Sequence, residues 1–144
     1  MTGTITLKIA SRLDHVHLLG LAVHRICTGI PLTEVEAYQA EVSVVEAVTN
    51  CIEHAYGGEP GHAVEVVMTV EPACMVFEIR DTGLPMPATT PHLPDQRPDD
   101  VSSLVEDGRG LFIMHAFMDE VTYTRAGATN VLRLVKVIRP ELST

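Results

Sequence analysis

Three short stretches of this sequence carry residue types and spacings that could do chemistry. Glu46 and Asn50 lie four residues apart in a run of helical character, so both can point at one ligand. A carboxylate and an amide carbonyl are hard oxygen groups, suited to a cation such as Mg²⁺ or to orienting a hydroxyl. Asp81-Thr82-Gly83 ends an apolar run. An aspartate there can cap the turn that follows, or accept a hydrogen bond from an exocyclic amine such as adenine N6. Gly108-Arg109-Gly110-Leu111 stands at a helix entrance. Glycines let backbone N–H groups approach a ligand, and a helix N-terminus carries partial positive charge, so the pair forms an anion site. No Gly-Lys-Ser/Thr follows it, which excludes a Walker loop, and it does not follow the first strand as a Rossmann fingerprint would. Taken singly, each stretch has an ordinary explanation: a polar helix face, a turn, a helix start.

The elements that must position these residues follow from periodicity. Thr4 to Ile9 alternates polar and apolar and predicts a half-buried strand. Val16, Leu19, Leu21, Val23 and Ile26 predict a helix from Leu13 to Cys27, broken by Gly29-Ile30-Pro31. Thr33 is a good N-cap, with Glu34 and Glu36 in the first turn where the helix dipole favours acids. A long helix is expected from about Glu34 to Tyr56, stopped by Gly57-Gly58-Glu59-Pro60-Gly61. Its positions Val44, Val45, Val48, Ile52 and Ala55 fit a core face. Strands over Ala63–Val70 and Met75–Arg80 are joined hairpin-fashion by Glu71-Pro72-Ala73. Five of the nine prolines then fall between Leu84 and Asp100. No helix or central strand survives that density, and long loops of this kind are often lids. A helix over Phe112 to Met118 and strands over Val121–Arg125 and Asn130–Val137 complete the chain. The mixed order β-α-α-β-β-lid-α-β-β predicts an α+β two-layer sandwich with helices on one sheet face.

Composition narrows the function classes. At 144 residues the chain fits one domain, 1–144, able to bury roughly 70% of its unfolded surface. Ten basic against nineteen acidic residues give a net charge of −9, which disfavours direct nucleic-acid binding. No apolar run reaches membrane-spanning length, and the N-terminus lacks the charged start and apolar stretch of a secretory signal, so the cytoplasm is the expected compartment. Cys27, Cys51 and Cys74 are isolated and read as small buried hydrophobes. The histidines form no metal-binding spacing. His54, one turn beyond Asn50, fits either a supporting place near the site or core packing. Met114, Phe117 and Met118 fit core at helical spacing.

The order of the three stretches around the Pro-rich segment resembles the histidine-kinase-like ATPase superfamily, whose Bergerat fold binds ATP under a flexible lid. Glu46-Ala47-Val48-Thr49-Asn50-Cys51-Ile52-Glu53-His54-Ala55-Tyr56 is similar to its N box. Asp81-Thr82-Gly83 is similar to its adenine-binding box, and Gly108-Arg109-Gly110-Leu111 to its glycine box. Glu-Ala-Val-Thr-Asn with a nearby His-Ala-Tyr, and Gly110-Leu111 leading through Ile113-Met114 to Phe117-Met118-Asp119-Glu120-Val121, narrow the resemblance. They are typical of the anti-sigma factor serine kinases of bacterial sporulation and stress response. The resemblance runs from Leu7 to Val137.

It implies a set of roles. Glu46 would activate the serine hydroxyl of a partner protein, and Asn50 would coordinate Mg²⁺. Asp81 would bind adenine N6, with Gly83 allowing close approach to the base. Gly108, Arg109 and Gly110, closed by Leu111, would offer backbone donors to the ATP phosphates; the Arg109 side chain fits either a phosphate contact or solvent. Thr129, in a turn similar to the family's last nucleotide-contacting Gly-Thr turn, would sit near the adenine. The lid would span about 84–107. Pro85 stands where many members have a second glycine, and this lid contains no lysine. The implied partners are a STAS-domain anti-anti-sigma factor, which the kinase phosphorylates, an RNA polymerase sigma factor, which it holds inactive, and a second copy in a homodimer. The resemblance also admits a STAS-partner kinase, or a nucleotide-gated binding module, that does not bind a sigma factor.

Overall fold

The structure, a computed structural model, describes residues 2–86 and 109–139. Most of the expected lid, from 87 on, and Gly108 lie outside the described residues. The elements are β1 (Gly3–Ala10), α1 (Leu13–Thr28), α2 (Glu34–Asn50) running into a π-helical turn (Cys51–Ala55), and β2 (Ala63–Val70). Then come β3 (Cys74–Asp81), α3 (Arg109–Phe117), β4 (Glu120–Ala126) and β5 (Thr129–Val137). Among the described residues, the order of helices and strands is the predicted one.

The five strands form one antiparallel sheet in the order β1-β2-β3-β5-β4. β2 and β3 form the expected hairpin, closed by the Glu71 N–H donating to the Cys74 carbonyl at 2.9 Å. α3 and β4 precede β5 in the chain, yet β5 lies beside β3 and β4 takes the sheet edge. Alternation then decides which side chains face the helices. Val64, Val66 and Met68 of β2, Met75, Phe77 and Ile79 of β3, and Leu132 and Leu134 of β5 are buried. They form one core with Val16, Leu19 and Val23 of α1, Val44 and Val48 of α2, Ile52 of the π turn, and Leu111 and Met114 of α3. Each such side chain stabilises the fold by about 1.5–3 kcal/mol on leaving water. This is the two-layer α+β sandwich expected from the pattern.

Local chemistry sets the element ends. Thr33 accepts from the Glu36 N–H at 3.1 Å, and the Glu36 carboxylate accepts from the Thr33 N–H at 2.9 Å. This reciprocal capping box occupies two otherwise orphan donors at the start of α2. At the far end, Gly57, Gly58 and Gly61 all take positive φ, a conformation that favours glycine. The long helix reaches as far as expected, but its last turn is π: the Tyr56 N–H donates to the Cys51 carbonyl at 3.0 Å. The Ala55 carbonyl, an orphan at the helix end, accepts from the Leu84 N–H at 2.8 Å.

α3 is held at its C-terminal end by a buried cation. Its buried C-terminal neighbour Lys136 donates from Nζ to the Phe117 carbonyl at 2.6 Å and to Gln39 Oε1 of α2 at 2.8 Å. A cation there meets the negative end of the helix dipole, while burial pushes the Lys136 amine down from its usual pKa.

Two outcomes follow. Thr33→Ala removes half of the capping box and lowers the unfolding free energy in urea by about 1 kcal/mol. Burial, with the nearby Glu41 charge, raises the Cys27 thiol from 9.0 to about 12. The folded state therefore keeps a proton that the unfolded chain loses, so this contribution is intact below pH 9 and is lost as pH rises towards 12. Urea unfolding between about pH 8 and pH 11 shows a steeper alkaline loss of stability in the native sequence than in Cys27→Ala.

Candidate functional site

The expected site residues that are described, all but Gly108, converge at one end of the sandwich. Glu46 and Asn50 occupy successive turns of α2, on a half-buried face beside the core positions Ala47 and Val48. α3 packs on α2 with its first turn against this pair. A Cβ built on Gly110 would lie 3.0 Å from Asn50 Nδ2, 3.1 Å from Glu46 Oε2 and 3.5 Å from Asn50 Oδ1. Gly110 is thus inside the first turn of α3, a turn earlier than the periodicity predicts for this helix. A glycine costs helix propensity, but a side chain here would push the helix start off the acid–amide pair. Arg109 opens α3 with its side chain exposed, and Leu111 is buried in the core. Leu111 can therefore meet a ligand only through its backbone. Glu53 and His54 are exposed, so His54 is not a core residue.

Asp81, 7% exposed, ends β3 at the same end of the molecule. Its Oδ1 accepts from the Gly83 N–H at 2.9 Å, the expected turn cap, and from Asn130 Nδ2 at 2.7 Å. Its Oδ2 accepts from the Cys51 thiol at 3.2 Å. Burial first, then the Asp81 charge and this bond, push the Cys51 thiol well above its usual pKa, so the sulfur keeps its proton and remains a donor. Cys51 is buried as expected, yet it is a hydrogen-bonding partner as well as a small hydrophobe. Gly83 fits because nothing larger would. A Cβ there would overlap the Ala55 carbonyl of the π turn and lie 2.6 Å from its carbon.

Two further residues belong to the site and were not singled out from the sequence. Tyr56, quoted only as part of a motif, donates from its hydroxyl to the Ala63 carbonyl at 2.7 Å and accepts from the Thr82 N–H at 2.9 Å. It fastens the end of the π turn to the segment that follows Asp81. Its ring stacks on His62 at 4.5 Å. Asn130 pairs with Asp81 in the β3–β5 register and is 1% exposed. The available signal was an amide at an inward-facing position of a strand that continues with Leu132 and Leu134. Thr129, the expected adenine neighbour, is half-buried at the start of β5, one register position away from the residue facing Asp81.

A helix-borne acid and amide, a helix start resting on them, and a buried strand-end carboxylate on a two-layer sandwich define a domain of the ATP-binding kinase type. The chain belongs to the histidine kinase-like ATPase domain family, whose sequence profile matches residues 9–136. It is 28% identical to the serine-protein kinase RsbW of Staphylococcus epidermidis over 143 residues, covering 95% of this chain and 88% of that one. It is 29% identical to the anti-sigma F factor of Geobacillus stearothermophilus over 125 residues, covering 84% and 82%. Among solved structures it resembles the RsbU and RsbW domains of a Mycobacterium tuberculosis protein, with a TM-score of 0.67 at 12% identity over 96% of this chain. The chain spans about a third of that structure, 33%. A blue-light activated histidine kinase from Erythrobacter litoralis shares the fold with a TM-score of 0.57 at 16% identity, covering 94% of this chain and 67% of that one.

The close contacts at the two glycines lead to a paired outcome. Gly110→Val drives a branched side chain into Asn50 and Glu46 and weakens ATP binding by roughly tenfold or more, with about 1–3 kcal/mol of overpacking strain. Gly83→Ala displaces the turn from Ala55 at a similar cost in stability. Isothermal titration and urea unfolding of both variants check this.

Proposed function

We propose that this chain is an anti-sigma factor and ATP-dependent protein-serine kinase of a partner-switching system. It phosphorylates a STAS-domain anti-anti-sigma factor and holds an RNA polymerase sigma factor inactive. The observation that carries this reading is the seating of Gly110 against both Glu46 and Asn50. It puts the backbone donors of a helix start beside a carboxylate and an amide, the combination that phosphoryl transfer needs. The names of the relatives, serine-protein kinase RsbW and anti-sigma F factor, point the same way.

Phosphoryl transfer is mostly positioning and charge stabilisation. Asn50 Oδ1 and the Glu46 carboxylate are hard oxygen donors, so the residues present fit Mg²⁺. Asn50 would hold the ion, which when bound draws negative charge off the phosphates. The N–H groups of Arg109, Gly110 and Leu111 at the first turn of α3, with Gly108 before it, would hold phosphate oxygens. Asp81 would accept from adenine N6, with Gly83 and Thr129 beside the base. Glu46 would take the proton of the partner's serine hydroxyl as its oxygen bonds to the γ-phosphorus and ADP departs.

The same reading places the protein in the cytoplasm as one domain over 1–144, with the lid at about 84–107. Among the described residues no helix is long and apolar enough to cross a membrane. A homodimer is supported by the edge position of β1, where Ile5 is 42% exposed, and by exposed Leu18 and Leu21 on α1.

Incubation with Mg-ATP and the cognate STAS protein yields phosphoserine on that partner. Glu46→Gln lowers the rate by about 10²-fold or more while ATP binding persists. Undiminished transfer in that variant would remove Glu46 from the role of base. Failure to retain any sigma subunit in a pull-down, with kinase activity intact, would leave a STAS-partner kinase without the anti-sigma function.

A further inference from the structure

The base-reading carboxylate is not held by its own strand alone. Asn130 lies opposite Asp81 across the β3–β5 ladder, and its Nδ2 donates at 2.7 Å to Asp81 Oδ1 and at 3.1 Å to the Gly83 carbonyl. A third acceptor, the Leu84 carbonyl, lies at 3.4 Å. Asn130 Oδ1 in turn accepts from Arg125 Nη1 of β4 at 2.9 Å. The amide orientation follows from chemistry. Turned over, Asn130 would set its own oxygen against a carboxylate and a carbonyl, and its N–H₂ against a guanidinium. Arg125, which offers only donors, selects the orientation in which Nδ2 faces Asp81.

The contacts also distinguish the two oxygens of Asp81. A carboxylate offers about two acceptor positions on each oxygen. Oδ1 is filled by Gly83 and Asn130. Oδ2 receives only the Cys51 thiol among the described residues, which leaves it one position. The second N–H of Asn130 is shared between the carbonyls of Gly83 and Leu84, where the chain leaves β3, and Tyr123 of β4 accepts from the Met86 N–H at 2.7 Å.

We propose that Arg125 and Asn130 are positioning residues that lock Asp81 so that Oδ2 alone reads the ligand's exocyclic amine. Asn130 ties that reading to the first residues leading into the lid. The proposal rests on the reading of Asp81 as the adenine contact. Both residues act through Asp81, so their effect is on discrimination between bases rather than on phosphate binding.

The test compares dissociation constants for ATP and for purine riboside triphosphate, which lacks the N6 amine. The proteins are the native sequence, Asp81→Asn, Asn130→Ala and Arg125→Met, each checked for folding by circular dichroism. A hydrogen bond to a charged acceptor contributes about 1.5–3 kcal/mol, so the native protein prefers ATP by roughly 10- to 100-fold. Asn130→Ala reduces that preference to within about threefold of unity, while affinity for the amine-free nucleotide changes by less than about threefold. Arg125→Met, altered at an exposed side chain, gives a partial loss in the same direction and decides the matter if Asn130→Ala does not fold. A preference retained in both variants overturns the relay, as does an equal weakening of both nucleotides, which marks a merely structural role. If Asp81→Asn abolishes the preference while those variants retain it, the adenine reading stands and the relay alone falls. A native protein without preference for ATP overturns both.

Discussion

A carboxylate buried at the end of a central strand must be surrounded by donors, or its charge is too costly to keep. Asp81 meets that requirement with groups from separate parts of the chain. The Gly83 N–H comes from its own turn, the Cys51 thiol from the π turn after α2, and the Asn130 amide from β5. Arg125 of β4 stands behind Asn130. The two strands on the far side of β3, the end of the long helix and the exit of β3 are therefore registered on one another by a single charged group. A fold that misplaced any of them would leave that charge, or the Asn130 amide, without a partner.

The second constraint is close backbone approach. At the end of the π turn the Ala55 carbonyl, left without an intrahelical partner, accepts from Leu84. Gly83 lies so near that carbonyl that any side chain would overlap it. At the other side of the site, Gly110 lets the start of α3 rest on Glu46 and Asn50, while Lys136 holds the opposite end of the same helix. Both glycines act by omission: each allows a rigid element to reach the long helix, and the site lies where those elements meet. Tyr56 adds a third attachment between the helix end and the residue after Asp81. A site built this way is pre-organised by packing, which suits a reaction that depends on placing reactants and stabilising charge.

The shared fold with proteins only 12% and 16% identical follows from what specifies it. Alternating burial along β2, β3 and β5 and the apolar face of α2 can be met by many combinations of aliphatic residues. The candidate site occupies only a few positions at one end of that scaffold, and a fold can be kept while such positions vary. The family match over 9–136 and the relatives named as serine kinase and anti-sigma factor concern the same span that contains all of those positions.

Much of this protein was legible in the sequence because its signals are local. Periodicity placed every helix and strand of the described residues to within a few positions, since each element buries one face and the pattern records which. Thr33 and the Gly57–Gly61 stretch marked the ends of the long helix through capping and positive φ, which depend on neighbouring residues alone. The pairing of Glu46 with Asn50 followed from helical spacing, and the Asp81–Gly83 cap from turn chemistry. Tertiary structure decided what depends on residues far apart in the chain. It put Gly110 on Glu46 and Asn50, made Cys51 a donor to Asp81, turned the last turn of the helix into a π turn, and brought Asn130 opposite Asp81. The Cys51–Asp81 and Asn130–Asp81 contacts join positions 30 and 49 residues apart, and no periodicity reports them. They exist because β5 inserts beside β3 and α3 lies along α2, a choice made by the burial of the whole sheet face rather than by any local run of residues.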